Sequence, residues 1–176
     1  YCATCDGPLF TGKDVAVIGG GNSALDAALQ LKSIAKKTYV ININQEFTGD
    51  PVMIDKLEGA ENVEVIHNAA TQEISGGDFV SGIKILEEGK NMKTIPVEGV
   101  FIEVGSIPTS QLAKCEGLEF NDQNEITVNN RCETTVPGLF AAGDVTNVPE
   151  KQIIVAAAQG CIASLSAFKY LSKSKF

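Results

Sequence analysis

Two cysteines stand at the head of the chain in the order Cys2, Ala3, Thr4, Cys5, with Asp6 directly after them. Sulfurs at that spacing can close and open a disulfide in exchange with an attacking thiolate, and Asp6 is placed to manage the proton. The same pair would also serve as half of a zinc site or as a structural bridge. Zinc asks for four ligands at close quarters, yet the sequence holds a single histidine, His67, and no second C-x-x-C. Redox exchange is therefore the favoured chemistry, and no metal site is expected. His67, in the strand-like "VEVIHN", reads as a packed residue rather than a ligand or base.

The second constellation is "VAVIGGGNSA", residues 15–24, in which Gly19, Gly21 and Ala24 make a G-x-G-x-x-A pattern. The first glycine permits a tight turn, the second lets the backbone approach a pyrophosphate, and a small third residue lets helix and strand pack closely. Amides at a helix N-terminus then receive the phosphates. Gly19, Gly20, Gly21, Asn22, Ser23 and Ala24 are the expected cofactor-binding residues. A plain strand-to-helix turn would use the same glycines, so the flanking segments decide. "DVAVIG" is a valine-rich run suited to a strand buried on both faces. "SALDAALQLKSIA" carries apolar residues at helical spacing. "TYVININ", residues 38–44, follows as a second strand, giving the first half of a βαβ unit.

The end of that second strand bears on the choice of nicotinamide cofactor. An acid about 20 residues beyond the glycines binds the adenosine ribose, whereas NADP needs a cation nearby. Asn42 stands at this place and can hydrogen-bond a hydroxyl, while no lysine or arginine lies between Lys37 and Lys56. A 2′-phosphate would lose water here without gaining a partner. NADH is the expected cofactor in preference to NADPH.

Further along, residues 50–58 read as a short helix. The segments "VEVIHN", "TQEISG", "FVSGIKILEE", "KTIPV" and "GVFIEVG" read as strands, with hairpin turns at residues 76–78 and 88–91. A β-meander beside the βαβ unit is the expected arrangement. "VGSIPTS", residues 104–110, breaks the pattern and marks a domain boundary. Beyond it, "EITVNNRCETTVPGLFAAGDV" supplies brief strands and turns, and "KQIIVAAAQGCIASLSAFKYLSKS" an alanine-rich helix with a lysine-bearing tail.

With 176 residues, the chain can bury the core of one domain or two small ones. Acidic groups number 22 and basic groups 14, a net charge of −8, with Arg131 the sole arginine. Nucleic acid and anionic membranes are disfavoured partners, because both need clustered cations. No apolar stretch reads as the roughly 18–20 residues of a membrane span. The five cysteines, completed by Cys115, Cys132 and Cys161, are odd in number and scattered. That is not a secreted disulfide framework; it fits a cytoplasmic chain whose three remaining cysteines are small buried hydrophobes.

Three motifs in fixed order, "CATCDG", "VAVIGGGNSA" and "GLFAAGDV", resemble the low-molecular-weight thioredoxin reductases. The phrase "VPEKQIIVAAAQGCIASLSAFKYL" resembles more closely the flavoprotein subunit of alkyl hydroperoxide reductase and related NADH-using reductases. The resemblance runs from Tyr1 to about Leu171. It implies an α/β fold: a Rossmann-like three-layer NAD(P)H-binding domain with a β-meander over residues 1–105, and the C-terminal part of an FAD-binding domain over residues 106–176. The first half of that flavin domain would then precede residue 1 in a longer parent.

By position, Cys2 would exchange with the partner, Cys5 would face the flavin, and Asp6 would be its acid–base partner. Gly143 and Asp144 would meet the ribityl and phosphate region, and Lys151, Gln152 and Ile153 would lie near the isoalloxazine. The implied activity passes electrons from NADH through FAD to the Cys2–Cys5 disulfide. From there they reach a thioredoxin-like protein or domain, linked in some relatives to a peroxiredoxin, in a homodimeric parent. A hinge is expected near residues 104–108. Two departures stand out: NADPH-using thioredoxin reductases carry cations where this chain has "NINQEF", and NADH-using relatives tend to have Glu where Asn42 stands. The alternative reading is a non-catalytic nucleotide-binding or redox-sensing module.

Overall fold

The computed structural model describes residues 2–173; Tyr1, where the resemblance begins, and the last residues of the lysine-bearing tail lie outside the described residues. The chain divides into two compact units, Tyr1–Gly105 and Ser106–Phe176.

The first unit opens with a one-turn helix α1 (Ala3–Asp6) and a 3₁₀ turn over Gly7–Phe10. Strand β1 (Asp14–Ile18), helix α2 (Asn22–Leu31) and strand β2 (Lys37–Ile41) follow, then α3 (Pro51–Glu58) and β3 (Val63–Ile66). The unit continues through β4 (Ala69–Gly76), β5 (Val80–Glu87), β6 (Asn91–Ile95) and β7 (Gly99–Ile102). A parallel sheet of four strands runs in the order β3-β2-β1-β7, and an antiparallel sheet of three in the order β4-β5-β6. The meander is thus narrower than the sequence implied. "VEVIHN" and "GVFIEVG" join the parallel sheet beside β2 and β1, and the two turns at residues 77–79 and 88–90 bound only β5. Strand periodicity alone does not say which sheet a strand enters.

Side-chain alternation on β1 and β2 builds the layers, because successive residues of a strand point to opposite faces. Val15, Val17 and Val40 face α2 and α3 and pack with Leu25, Ala28, Leu31, Leu57 and Phe101. Ala16 and Ile41 face the other way, against Ile83, Ile85 and Ile95 of the antiparallel sheet. The parallel sheet is therefore covered on both sides, as its unbroken apolar run in β1 demands. Full burial of side chains such as Leu25 and Leu31 stabilises the unit by about 1.5–3 kcal/mol each. Ala3 sits in the helix-side cluster, so the cysteine-bearing turn is docked on the core rather than dangling from it.

The second unit has little regular structure before its last helix. "EITVNNRCETTVPGLFAAGDV" forms isolated bridges, Phe120 with Ile126, Ile126 with Thr146 and Glu133 with Phe140, in place of the expected strands. Helix α4 (Ile153–Lys173) is the last element among the described residues. It corrects the expectation about apolar length: at 21 residues, it is by length and composition long enough to cross a membrane. Its charges are confined to Lys169 and Lys173, and the interspersed Ala, Gly and Ser hide the run from inspection. Inside the unit, Gln159 and Tyr170 hold the helix to the loops: Gln159 Oε1 accepts from Gly143 N at 2.7 Å, and Phe140 packs edge-on to Tyr170 at 6.2 Å. Many of its other apolar residues, Ile153, Ile154, Leu165 and Phe168 among them, are exposed. The cysteine expectation also needs correction. Cys132 is buried, but Cys115 and Cys161 are exposed, the one in a loop and the other on the open side of α4.

Candidate active site

The glycine turn links β1 to α2. Gly19 has φ +142°, and a Cβ there would collide with the Glu103 carbonyl and come within 2.9 Å of Ala24 Cβ. A side chain on Gly20 would collide with the Asn42 carboxamide. Helix α2 begins with Gly21 as its N-cap and no side-chain cap, so its first amides keep the orphan donors that a helix start presents. Ala24 is fully buried; it holds the helix against the strand and does not line the cleft.

Around this turn opens a cleft of about 430 Å³, lined by Gly19, Gly20, Gly21, Asn22 and Ser23 from the turn, Asn42 and Asn44 from just past the end of β2, and Glu103 from just past the end of β7. That volume is in the range of small-molecule sites. The loop after β2 folds back over the turn. Thr48 N donates to Gly20 O at 2.8 Å, and Asp50 N donates to Asn22 Oδ1 at 2.7 Å. Gly49 is required there, since a side chain would strike Leu25 and Asn22. The Asn22 side chain is consequently held in place rather than free. Asn42 lies at the cleft wall but is 1% exposed, with its carboxamide bonded to Glu46 O, His67 Nδ1 and Asn44 N. His67 packs edge-on to Phe47 with ring centroids 4.8 Å apart, the packed role expected of it, just past the end of β3.

Thr48, Asn44 and Glu103 are cleft residues that the sequence did not single out. A signal existed for the first: "TGDP" joins a turn glycine to the Asp50 cap and Pro51 of α3. Nothing in the sequence marks Glu103, which reaches the cleft only because β7 pairs in parallel with β1. Burial pushes its carboxyl above the ordinary range, and the Asp26 charge adds in the same direction.

Cys2 and Cys5 are joined in a disulfide with Cα atoms 5.2 Å apart, a span that suits such a bridge. Cys2 caps α1, its sulfur accepting from Cys5 N at 3.1 Å. Asp6 is exposed at the end of the same turn. The cysteine turn is tied to the glycine-turn helix: Thr4 Oγ1 donates to Gln30 Oε1 at 2.8 Å, and Gln30 Nε2 to Asp26 Oδ2 at 2.7 Å. Among the described residues no cluster of three or more His, Cys, Asp or Glu could hold a metal ion.

In the second unit, Gly143 sits in a turn at φ +81° against Ala156, and Asp144 beside it is exposed. Lys151 and Gln152 precede α4 rather than beginning it. Lys151 Nζ is engaged by Glu125 Oε1 and by Thr146 O, each at 2.6 Å. Ile153, at the first position of α4, is almost fully exposed.

A buried parallel sheet, a glycine turn opening a helix, and a disulfide turn fastened to that helix define a nucleotide-dependent disulfide oxidoreductase architecture. The chain belongs to the pyridine nucleotide-disulphide oxidoreductase family, whose model matches residues 1–160. It is 44% identical over 177 residues to a subunit of the alkyl hydroperoxide reductase of Escherichia coli (strain K12), covering 99% of this chain and 34% of that protein. It is 43% identical to a protein named NADH dehydrogenase from Bacillus subtilis (strain 168), again over 99% of this chain and 34% of the relative. Among solved structures, thioredoxin reductase from Streptococcus pyogenes MGAS5005 superposes with a TM-score of 0.89 at 31% identity, covering 98% of this chain and 57% of that one. Thioredoxin reductase from T. acidophilum gives 0.67 at 37% identity over 98% of this chain and 57% of its own. The chain therefore spans about a third of the length of these curated relatives.

Proposed function

We propose that this chain is the nicotinamide-binding and disulfide-bearing part of a flavin-dependent disulfide reductase that takes its electrons from NADH. The observation that carries the reading is the Thr4–Gln30 contact, which fastens the cysteine-bearing α1 to α2, the helix that rises from the glycine turn. The balanced reaction is NADH, one proton and the Cys2–Cys5 disulfide going to NAD⁺ and two thiols. The chemistry a flavin supplies when bound is the two-electron relay between nicotinamide and disulfide.

Within the chain, amides of residues 20–23 receive the dinucleotide phosphates, and a cleft lining without a cation among the described residues disfavours a 2′-phosphate. Cys2, at the head of α1, exchanges with the acceptor, Cys5 takes electrons from the flavin side, and Asp6 moves the proton. In the second unit, exposed Asp144 and Ile153 offer a polar group and an apolar edge to a flavin. Lys151 and the Gly143 amide, already committed within the unit, hold the segment that presents them, and Gln152 directly precedes Ile153 and α4 in that segment. The exposed apolar side of α4 then packs against the remainder of a flavin domain. The likeness to an alkyl hydroperoxide reductase component supports a peroxiredoxin-linked acceptor; a thioredoxin-like protein or domain in that place, a cytoplasmic setting and a homodimeric parent complete the proposal.

Titration of the 176-residue chain with NADH and NADPH tests the cleft; NADH should bind at least tenfold more tightly. In the flavin-loaded parent, each NADH oxidised should release two thiols, and Cys5→Ser should abolish their appearance. Equal affinity for both nucleotides, or a couple that stays bridged while NADH is consumed, would sink the reading. Binding without thiol release would favour a sensing module instead.

A further inference from the structure

Asn42 stands where an adenosine ribose is read in nucleotide-binding βαβ units, yet it is buried and its carboxamide is already engaged. The amide nitrogen has two hydrogens, and both have acceptors: Glu46 O at 2.9 Å and His67 Nδ1 at 3.1 Å. The oxygen accepts from Asn44 N at 3.1 Å. Its backbone is equally fixed, with Asn42 N donating to Ile66 O and Asn42 O accepting from Ala69 N. The same carboxamide fills the space a Gly20 side chain would need. The residue thus touches the glycine turn, the strand β3 edge and the loop over the cleft at once.

We infer that Asn42 is a positioning residue whose buried carboxamide, with His67, braces residues 43–48 against the glycine turn, and that the exposed Asn44 side chain on that loop meets the adenosine ribose. This rests on the dinucleotide reading of the cleft. The chemistry explains why an amide stands here. A carboxylate has no hydrogen to give Glu46 O, and two acceptors facing each other in a buried site repel. The Asn42 amide nitrogen can only donate, so His67 Nδ1 is the acceptor in this contact. Asn44 is free of that duty: its backbone amide is held by Asn42, while its side chain is exposed on the cleft lining.

Two measurements on one set of variants test this. Amide exchange in the nucleotide-free protein reads the brace alone. Asn42→Ala and Asn42→Asp should speed exchange at residues 44–48 by about tenfold or more, the factor expected for a lost buried hydrogen bond. His67→Leu should do so in part, and His67→Gln, which keeps an acceptor, should restore the slow rate. Asn44→Ala should leave it unchanged.

Titration with NADH and with its analogue lacking the adenosine 2′-hydroxyl reads the ligand contact. Wild type and the Asn42 variants should pay the same factor for losing the hydroxyl, even though Asn42→Ala binds both nucleotides about tenfold more weakly. In Asn44→Ala the factor should vanish. If it vanishes in Asn42→Ala and persists in Asn44→Ala, Asn42 is the ligand and the inference is overturned. Unchanged exchange in Asn42→Ala overturns it equally. Should the Asn42 variants fail to fold, the His67 pair and Asn44→Ala still decide. A wild type with no affinity for NADH removes the dinucleotide reading, while the exchange rates continue to judge the brace.

Discussion

Thr4 Oγ1 donates a 2.8 Å hydrogen bond to Gln30 Oε1 across twenty-six residues of sequence, fastening the cysteine turn to the helix that rises from the glycine turn. The contact is oriented by a second bond, because Gln30 Nε2 donates to Asp26 Oδ2 at 2.7 Å and leaves its oxygen facing Thr4. Both bonds are exposed, so each contributes at the low end of about 0.5–1.5 kcal/mol.

Gln30→Ala should therefore leave the melting temperature nearly unchanged yet loosen the turn. Amide exchange at Cys5 and Asp6 should rise several-fold, and the couple should react faster with a small thiol. Gln30→Glu keeps an acceptor for Thr4 but loses the donor to Asp26 and sets two carboxylates face to face, so it should not restore the slow rates. If exchange at the turn is unaffected, docking through Ala3 alone holds it.

The glycine turn separates two roles that one motif usually conflates. Gly19→Ala would drive a methyl into the Glu103 carbonyl at a φ of +142°, and Gly20→Ala would drive one into Asn42. Each should cost about 2–4 kcal/mol, since neither neighbour can yield without moving the sheet or the loop. At Gly21 the nearest atom is Thr48 Oγ1, 3.8 Å away. Gly21→Ala should fold normally, with stability within about 1 kcal/mol of wild type, but its methyl faces the cleft and should weaken NADH. Denaturation curves and nucleotide titrations on the three variants check this. A Gly21 variant that binds like wild type would mean that the phosphates lie elsewhere.

How far the sequence carried depends on which forces write local patterns. The β1–α2–β2 run was legible because burial on both sheet faces and helical spacing leave signatures within a few residues, and the Asp50–Pro51 start of α3 because capping is local. Sheet membership was not: β3 and β7 look like their neighbours until they pair with β2 and β1. Glu103 enters the cleft through that pairing alone. Asn42 lies at the cleft wall, but its bonds to Glu46 and His67 were not legible, since those partners come from a loop and a strand end that no spacing rule connects. The exposure of Cys115 and Cys161 likewise follows from tertiary packing and not from residue type.

Glu103 supplies a pH dependence. Burial, aided by Asp26, holds its carboxyl above the ordinary value of 4.5, so the folded chain keeps this proton to a higher pH than the unfolded one. The associated stability is complete below the ordinary value and is lost as pH rises through the raised one. Glu103→Gln should melt at the same temperature as wild type in acid and higher at neutral pH. The charge also faces a cleft assigned to a pyrophosphate. NADH affinity of the wild type should fall as Glu103 ionises, while the Gln variant stays flat. Parallel pH profiles for the two proteins would mean that the carboxyl does not see the ligand.

The opposite sign holds in the second unit. Glu125 is largely buried, with Oε1 on Lys151 Nζ at 2.6 Å and Oε2 accepting from Asn121 Nδ2 at 2.7 Å. The lysine hydrogen bond first, then that of Asn121, holds its carboxyl below the ordinary range. Stability from this pair is present above the ordinary value and is lost as pH falls through the lowered one. Lys151→Met leaves a carboxylate in a poorly hydrated place with no cation, and should destabilise the unit by about 1–3 kcal/mol at neutral pH. Much of that loss should disappear in acid, where Glu125 takes a proton and no longer needs the partner. Adding Glu125→Gln should recover most of it at neutral pH, because the amide keeps the bond to Asn121 without the charge. The readout is amide exchange at Ile126 and Thr146, which bridge to each other beside the pair. If Lys151→Met leaves those rates unchanged at neutral pH, the lysine is not holding this segment, and a direct role beside the flavin becomes the better account of it.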